Sequence, residues 1–237
     1  MIAITSIAPK HINNDIQLKA VQSWVDLGMV VYSMNSKAEV EMLSNIYPMV
    51  NFIVTDKTME LIYQKQYVSL TAIFDWCKSQ HDNYICLINS DIELKTDKET
   101  IKRIEHKMNG SILLCNRVNY ENDYSGFQYK AGIDVFFIHK NYLQIYPPSM
   151  YALGQCHFDY WIPYRAVNNG IDVCFIEQNI AFHKNHNTQY NHDSWIQTGR
   201  YFMWENNLYQ FHPTQGIGQM STFVFNYINN ATKRIEI

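Results

Sequence analysis

Apolar runs and amphipathic stretches alternate along the first half of the chain. Residues 2–8 form an apolar run closed by Pro9; Ile16, Ala20, Val21, Trp24 and Val25 then recur at helical spacing, with Asn13, Asn14 and Asp15 as capping groups and Gly28 as the stop. A strand is expected at 29–32, a short helix opened by a Ser36/Glu39 capping box, and a third strand at 52–54. Val68, Ala72, Ile73 and Trp76 line one face of the next helix, which leads into the run from Tyr84 to Leu94. Beyond it, Thr96 and Glu99 form a second capping-box pattern, Ile101, Ile104 and Met108 make a buried stripe, Gly110 ends the helix, and 111–115 reads as a strand.

The second half is less regular. Residues 119–130 are polar and aromatic and read as a loop, 133–138 as a strand, and Tyr146-Pro147-Pro148-Ser149 as a break. A helix is expected at 160–168 with Pro163 in its first turn, then a strand at 173–176; the last forty or so residues give the weakest signal. Strands separated by helices imply right-handed crossovers. The fold class is therefore α/β, a Rossmann-like domain with a mainly parallel sheet flanked by helices.

The run from Tyr84 stops abruptly at Asn89-Ser90-Asp91. Ligands of open α/β sheets bind at this carboxyl edge of the strands. Side chains two apart on extended chain point the same way, so Asn89 and Asp91 can face one ligand or cation with Ser90 turned away; the same residues equally suit a simple turn.

Composition narrows the partner. The chain has 237 residues, 47% hydrophobic, and a net charge of −3 with no run of Lys or Arg among aromatics, which argues against nucleic acid. Of the five cysteines, Cys86, Cys115 and Cys174 sit in apolar runs, and no CxxC pair suggests zinc or redox chemistry. No segment approaches the roughly 20 apolar residues of a membrane span, and the N-terminus lacks signal-peptide features, so a cytoplasmic location is the default expectation.

No Gly-rich turn follows the first strand and no nucleophile-elbow motif surrounds a serine, so any phosphate must be held by a metal or by side chains. His183, directly after Phe182 at the end of an apolar stretch, is a natural further ligand for a cation on Asp91, or else a hydrogen-bonded surface histidine. His186, His192 and Asp193 could form a separate transition-metal cluster. Asp159, amid aromatics before a helix, is a poised base, an N-cap, or both. Asp134 lies inside a strand of large apolar residues and must either pair with a group such as Arg117 or face a cleft. Tyr120, Tyr124, Phe127, Tyr129, Trp161 and Trp195 are numerous enough for a sugar-stacking platform, or are simply core.

With these residues in view, the sequence resembles the GT-A class of nucleotide-sugar glycosyltransferases, most nearly the family 2-like members, over roughly residues 1–190. The hallmark is an apolar strand ending in Asp-x-Asp or a variant; Asn89-Ser90-Asp91 is a variant with Asn first, and Gly132-Ile133-Asp134, the Asp159 segment and His183 extend the likeness. The resemblance implies a nucleotide-binding half at 1–95, an acceptor-side half at 96–190, and a C-terminal extension at 191–237 packing on the same domain. It implies that Asp91, with His183, holds a divalent metal (Mn²⁺ or Mg²⁺) on the diphosphate of a nucleotide-sugar donor. Ile7, Ala8, Asn35 and Asp56 would surround the nucleotide together with Asn89, Ser90 and Asp91. Asp159 would deprotonate a saccharide-type acceptor hydroxyl, giving an inverting transfer, with Asp134 and Trp161 on the acceptor side. Phe158 stands before Asp159 where inverting members often carry a second acid. The alternatives are a non-catalytic carbohydrate- or nucleotide-binding protein on the same sheet, or a sugar nucleotidyltransferase, for which Pro9-Lys10-His11-Ile12 replaces the usual Gly-rich basic loop.

Overall fold

The computed structural model describes residues 1–9, 14–122, 124–186 and 192–237; Asn13, one of the expected capping groups, lies outside them. The first half alternates as its hydrophobic pattern requires: β1 (Ile2–Thr5), α1 (Asn14–Asp26), β2 (Val30–Asn35), α2 (Lys37–Leu43), β3 (Asn51–Val54), the short α3 (Glu60–Tyr63), α4 (Leu70–Ser79) and β4 (Tyr84–Ile88). Next come β5 (Ile92–Leu94), α5 (Lys98–Met108), β6 (Ile112–Tyr120), β7 (Phe127–His139), a 3₁₀ turn at Lys140–Ile145, α6 (Phe158–Asn168), β8 (Val173–Ile176) and β9 (Ala181–Lys184). Helices α7 (His192–Glu205) and α8 (Ile217–Ala231) and strand β10 (Lys233–Ile235) complete the chain.

The main sheet runs β10-β8-β6-β7-β4-β1-β2-β3, with β5 pairing β9 off this path. Pairings β1 with β2 and β4, β2 with β3, β6 with β8 and β9, and β8 with β10 are parallel; β7 runs antiparallel between β4 and β6. Because side chains alternate across a strand, each strand feeds two cores. Ile2, Ile4, Ile85, Leu87, Phe136 and Ile138 pack under α4, α6, α7 and α8, whereas Ala3, Cys86, Ile88, Val135 and Phe137 pack under α1 and α5. Both faces are covered, which explains the unbroken apolar run of β4.

Local chemistry sets the ends of several elements. Ser36 accepts from the Glu39 N–H at 3.4 Å, and the Glu39 carboxylate accepts from the Ser36 N–H at 3.0 Å, the reciprocal box expected at the start of α2. At α5 the cap is Asp97 rather than Thr96: its carboxylate accepts from the Thr100 N–H at 2.7 Å, and an ionised acceptor is the stronger partner for an orphan N–H.

Residues 119–130, expected as a loop, belong largely to a hairpin. β6 and β7 pair from Leu113↔Phe137 out to Asn119↔Phe127, with register shifts on either side of Asn116. Outer positions of β7 such as Phe127 are exposed, so the period of a half-buried strand is missing there. The last forty or so residues are two helices and an edge strand. Phe202, Met203, Ile217, Met220, Val224 and Ile228 enter the same core as α6, and β10 pairs with β8. Among the described residues, no helix is long and apolar enough to cross a membrane.

Candidate active site

The carboxyl ends of β1, β2 and β4 are tied together by side chains. Gln17 of α1 grips Ala8 at both backbone groups, accepting from its N–H at 3.1 Å and donating to its carbonyl at 2.9 Å. Ser90 donates to the same Gln17 amide oxygen at 2.7 Å. Asn35 is fully buried and donates to the Ile7 carbonyl at 2.9 Å, while Ser33 Oγ donates to Asn35 at 2.6 Å and accepts from the Ile7 N–H at 3.0 Å.

A cavity of about 580 Å³ opens above this platform, lined by Ile7, Ala8, Pro9, Lys65, Tyr67, Asn89, Ser90, Asp91 and Gly154 among others. Two residues expected around a nucleotide do not reach it. Asn35 lies beneath the floor, where its amide satisfies the backbone of Ile7, and Asp56 is exposed beyond β3, away from the cavity lining.

Asn89-Ser90-Asp91 is a turn, closed by the Ile92 N–H donating to the Asn89 carbonyl at 3.2 Å. The turn breaks the two-residue alternation of extended chain, yet Asn89 and Asp91 both line the cavity above the platform. Asn89 donates to Asp134 Oδ1 at 2.6 Å. Asp91 turns instead to two histidines: its Oδ2 is 3.1 Å from His186 Nε2 and 3.4 Å from His183 Nε2, and the two Nε2 atoms are 3.1 Å apart.

Asp91, His183 and His186 thus converge one ligand atom each within 4.8 Å. β9 places His183 by pairing with β5 in the register Ile92↔His183, directly beside the Asp91 turn. Two imidazole nitrogens face each other here, an arrangement that a shared proton or a metal ion satisfies. Two nitrogens and one carboxylate oxygen suit Mn²⁺, Zn²⁺ and other transition ions better than Mg²⁺, which favours oxygen. His186 does not join His192 and Asp193 in a separate cluster. His192 stacks on Trp195 at 5.6 Å between ring centroids, and Asp193 sits exposed in the first turn of α7.

A second compartment of about 570 Å³ adjoins the first; Tyr67, Asn89 and Gly154 line both, and His183 and His186 line the second. The metal-competent cluster therefore stands where the two meet. Asp134 lines this compartment although only 6% exposed; Arg117 reaches its Oδ2 at 2.9 Å, so the residue both pairs and faces the cleft. Gly132 permits this, because a Cβ there would lie 2.7 Å from Tyr129 Cδ1 and 3.1 Å from Arg117 Nε.

Asp159 lies in the first turn of α6 and accepts from the Tyr160 N–H at 3.1 Å. It is not the N-cap; His157 holds that position in a left-handed conformation, φ +67°. Burial pushes the Asp159 carboxyl up to about 7, with the negative charge of Asp134 adding to the effect, while the Tyr160 N–H and Arg117 pull the other way. His157 is held between Thr198 Oγ1 at 2.9 Å and Ser221 Oγ at 3.2 Å, and burial pushes it down to about 4, so it is neutral.

Trp161, expected on the acceptor side, is fully buried and packs against Phe74, Tyr146 and Tyr151. A residue two along the helix from Asp159 points toward a different side, here into the core. Of the other aromatics, Tyr120 and Tyr124 stack on each other and bind Glu93, Phe127 stands exposed on β7, and Tyr129 and Trp195 line the second compartment. Sequence reasoning missed His157, Gln155 and Ser221 as lining residues, and placed His186 in the wrong cluster. For His186 the signal was its three-residue spacing from His183 just past a strand end.

No family model matches the sequence, and no characterised protein matches it in sequence. In structure the chain is similar to TarS 1-349 of S. aureus in complex with UDP-GlcNAc, with a TM-score of 0.54 at 9% identity over 85% of this chain and 66% of that one. A longer TarS structure gives 0.53 at 7% identity over 84% and 38%. The chain thus spans just under two thirds of the shorter TarS structure. A looser likeness links it to HddC from Yersinia pseudotuberculosis complexed with GMP-PN, with a TM-score of 0.43 at 13% identity over 80% and 91%. The parallel strands, the antiparallel β7 and the turn after β4 form a GT-A-type fold, shared with the TarS structure that holds UDP-GlcNAc.

Proposed function

We propose that this protein is an inverting glycosyltransferase that moves a sugar from a nucleotide-diphosphate donor to a hydroxyl acceptor. The observation that carries the reading is the junction itself: a ligand cluster of Asp91, His183 and His186 stands between two compartments of one cleft, and Asp159 lies in the wall of the second. The nucleotide occupies the compartment over Ile7, Ala8 and Ser90. Asp91, His183 and His186 would hold a divalent ion, which when bound would supply charge neutralisation for the leaving diphosphate.

The remaining steps belong to the chain. Asp159, ionised above about pH 7, accepts the proton of the acceptor hydroxyl as its oxygen attacks the donor's anomeric carbon. Attack from the face opposite the leaving group inverts that carbon. Asn89 and Arg117 hold Asp134 and so fix the boundary between the compartments.

The test is thermal unfolding with UDP or GDP and MnCl₂, followed by a screen of nucleotide sugars for hydrolysis. A rise in melting temperature that needs both nucleotide and metal, and is absent in Asp91→Ala, supports the reading. No shift with any nucleoside diphosphate sinks it.

A further inference from the structure

The C-terminal helices carry almost no charge. The one Asp, Glu, Lys or Arg between Arg200 and Lys233 is Glu205, half-buried against Tyr151 and Trp161, in a chain that is 17% charged overall. His212 is used locally, its Nδ1 accepting from the N–H groups of Thr214 and Gln215 at 3.3 and 3.2 Å. Helix α8 has no charged residue at all. Its positions Ile217, Met220, Val224 and Ile228 enter the core, so at helical spacing Gly218, Gln219, Thr222, Phe223, Asn226 and Asn230 form one outward face, and all six are exposed.

The face continues beyond α8. Phe211 packs on Phe223 with 5.5 Å between ring centroids, and the loop that carries Phe211 exposes Tyr209, whose hydroxyl donates to the carbonyl of the exposed Trp204 at 3.4 Å. Charged residues depleted and Trp, Tyr and Phe enriched is the composition that marks the core of a protein interface. Self-association makes a further demand. Across a two-fold axis the same patch meets itself, so a patch of one charge sign repels its copy, whereas Gln, Thr and Asn side chains are each donor and acceptor and can pair with their like. Gln219, Thr222, Asn226 and Asn230 meet that demand. Nucleic acid and anionic membranes instead select for Lys and Arg, of which there are none between Arg200 and Lys233.

We infer that the outward face of α8, with Phe223 in it and Tyr209 and Trp204 on its flank, is the contact through which two copies of this chain form a two-fold dimer. The inference goes beyond the transferase reading and does not depend on it. A stable dimer takes about 800 Å² from each partner. The 15 residues of α8 make a face about 22 Å long, and the aromatic flank widens it. Because α8 also sets Ser221 against His157, pairing of two copies would steady the wall of the second compartment in each.

The test is sedimentation velocity from about 1 to 100 μM, a range that reports micromolar association. A species of twice the 28.0 kDa mass of one chain is expected. Thr222→Lys and Phe223→Glu each set like charges on the two copies of the face and should weaken the dimer roughly tenfold or more, with the circular dichroism spectrum unchanged because both positions are exposed. A monomer throughout the range overturns the interface, as does a dimer that neither variant weakens. A monomer that floats with phosphatidylcholine vesicles, and no longer does so as Phe223→Glu, also overturns it and gives the face to a neutral lipid surface.

Discussion

Asn89 donates its amide N–H to Asp134 at 2.6 Å, joining the turn after β4 to the neighbouring antiparallel strand β7. A carboxylate at position 89 would face a second carboxylate that is already 6% exposed. Asn89→Asp is therefore expected to cost about 1–3 kcal/mol at pH 8, a drop of several degrees in melting temperature. Asn89→Asp combined with Asp134→Asn should recover part of that loss, because donor and acceptor are exchanged. An unchanged melting temperature in the single variant would show that the bond constrains nothing.

The Asp91, His183 and His186 cluster predicts an order among metals. With UDP present, MnCl₂ or ZnCl₂ should raise the melting temperature more than MgCl₂ does, since two of the three ligand atoms are imidazole nitrogens. At about a hundredfold excess over Kd the stabilisation is about 2.7 kcal/mol. His186→Ala should lose most of it, and a full response in that variant would remove His186 from the ligand set.

Asp159 predicts a pH profile. As the proposed base it must be ionised, so kcat/KM for transfer should fall about tenfold per unit below about 7 and level off above it. Asp159→Asn should lose about 100-fold or more in transfer with donor affinity retained. The same shift has an opposite effect on folding. The folded value of about 7 lies above the ordinary 3.8, so the contribution of this carboxyl to stability is fully present below about 4 and is lost as pH rises through about 7. Asp159→Asn should flatten that slope in a series of denaturant titrations.

His157 predicts a positioning effect. Its left-handed backbone stores strain and is held by hydroxyls from α7 and α8, two residues before Asp159. Thr198→Val leaves a buried ring nitrogen without its partner and should cost about 1–3 kcal/mol. At temperatures where the variant stays folded, kcat for transfer should fall while donor affinity holds. Equal losses in both would mark a purely structural role.

Much of this was legible in the sequence because apolar periodicity reports burial directly. The strand and helix order up to α5 apart from the short α3 and β5, the capping box at Ser36, and the sheet edge at Asn89-Ser90-Asp91 all followed from it. Periodicity fails where partners rather than neighbours decide. Residues 119–130 pair as a hairpin without burying a continuous face, so their pattern resembles a loop. Trp161 lies two residues from Asp159, yet helical rotation sends it into the core. The proximity of His186 to Asp91 depends on β9 docking against β5, a contact between residues almost a hundred positions apart.

The clamp on His157 has an evolutionary consequence. The wall bearing Gln155, Asp159 and Trp195 is braced by two C-terminal helices that take no part in the platform under Ile7, Ala8 and Ser90. On the proposed reading, substitutions in α7 and α8 would reshape the second compartment while leaving the platform under Ile7, Ala8 and Ser90 as it is, so that one half of the cleft can diversify while the other stays fixed.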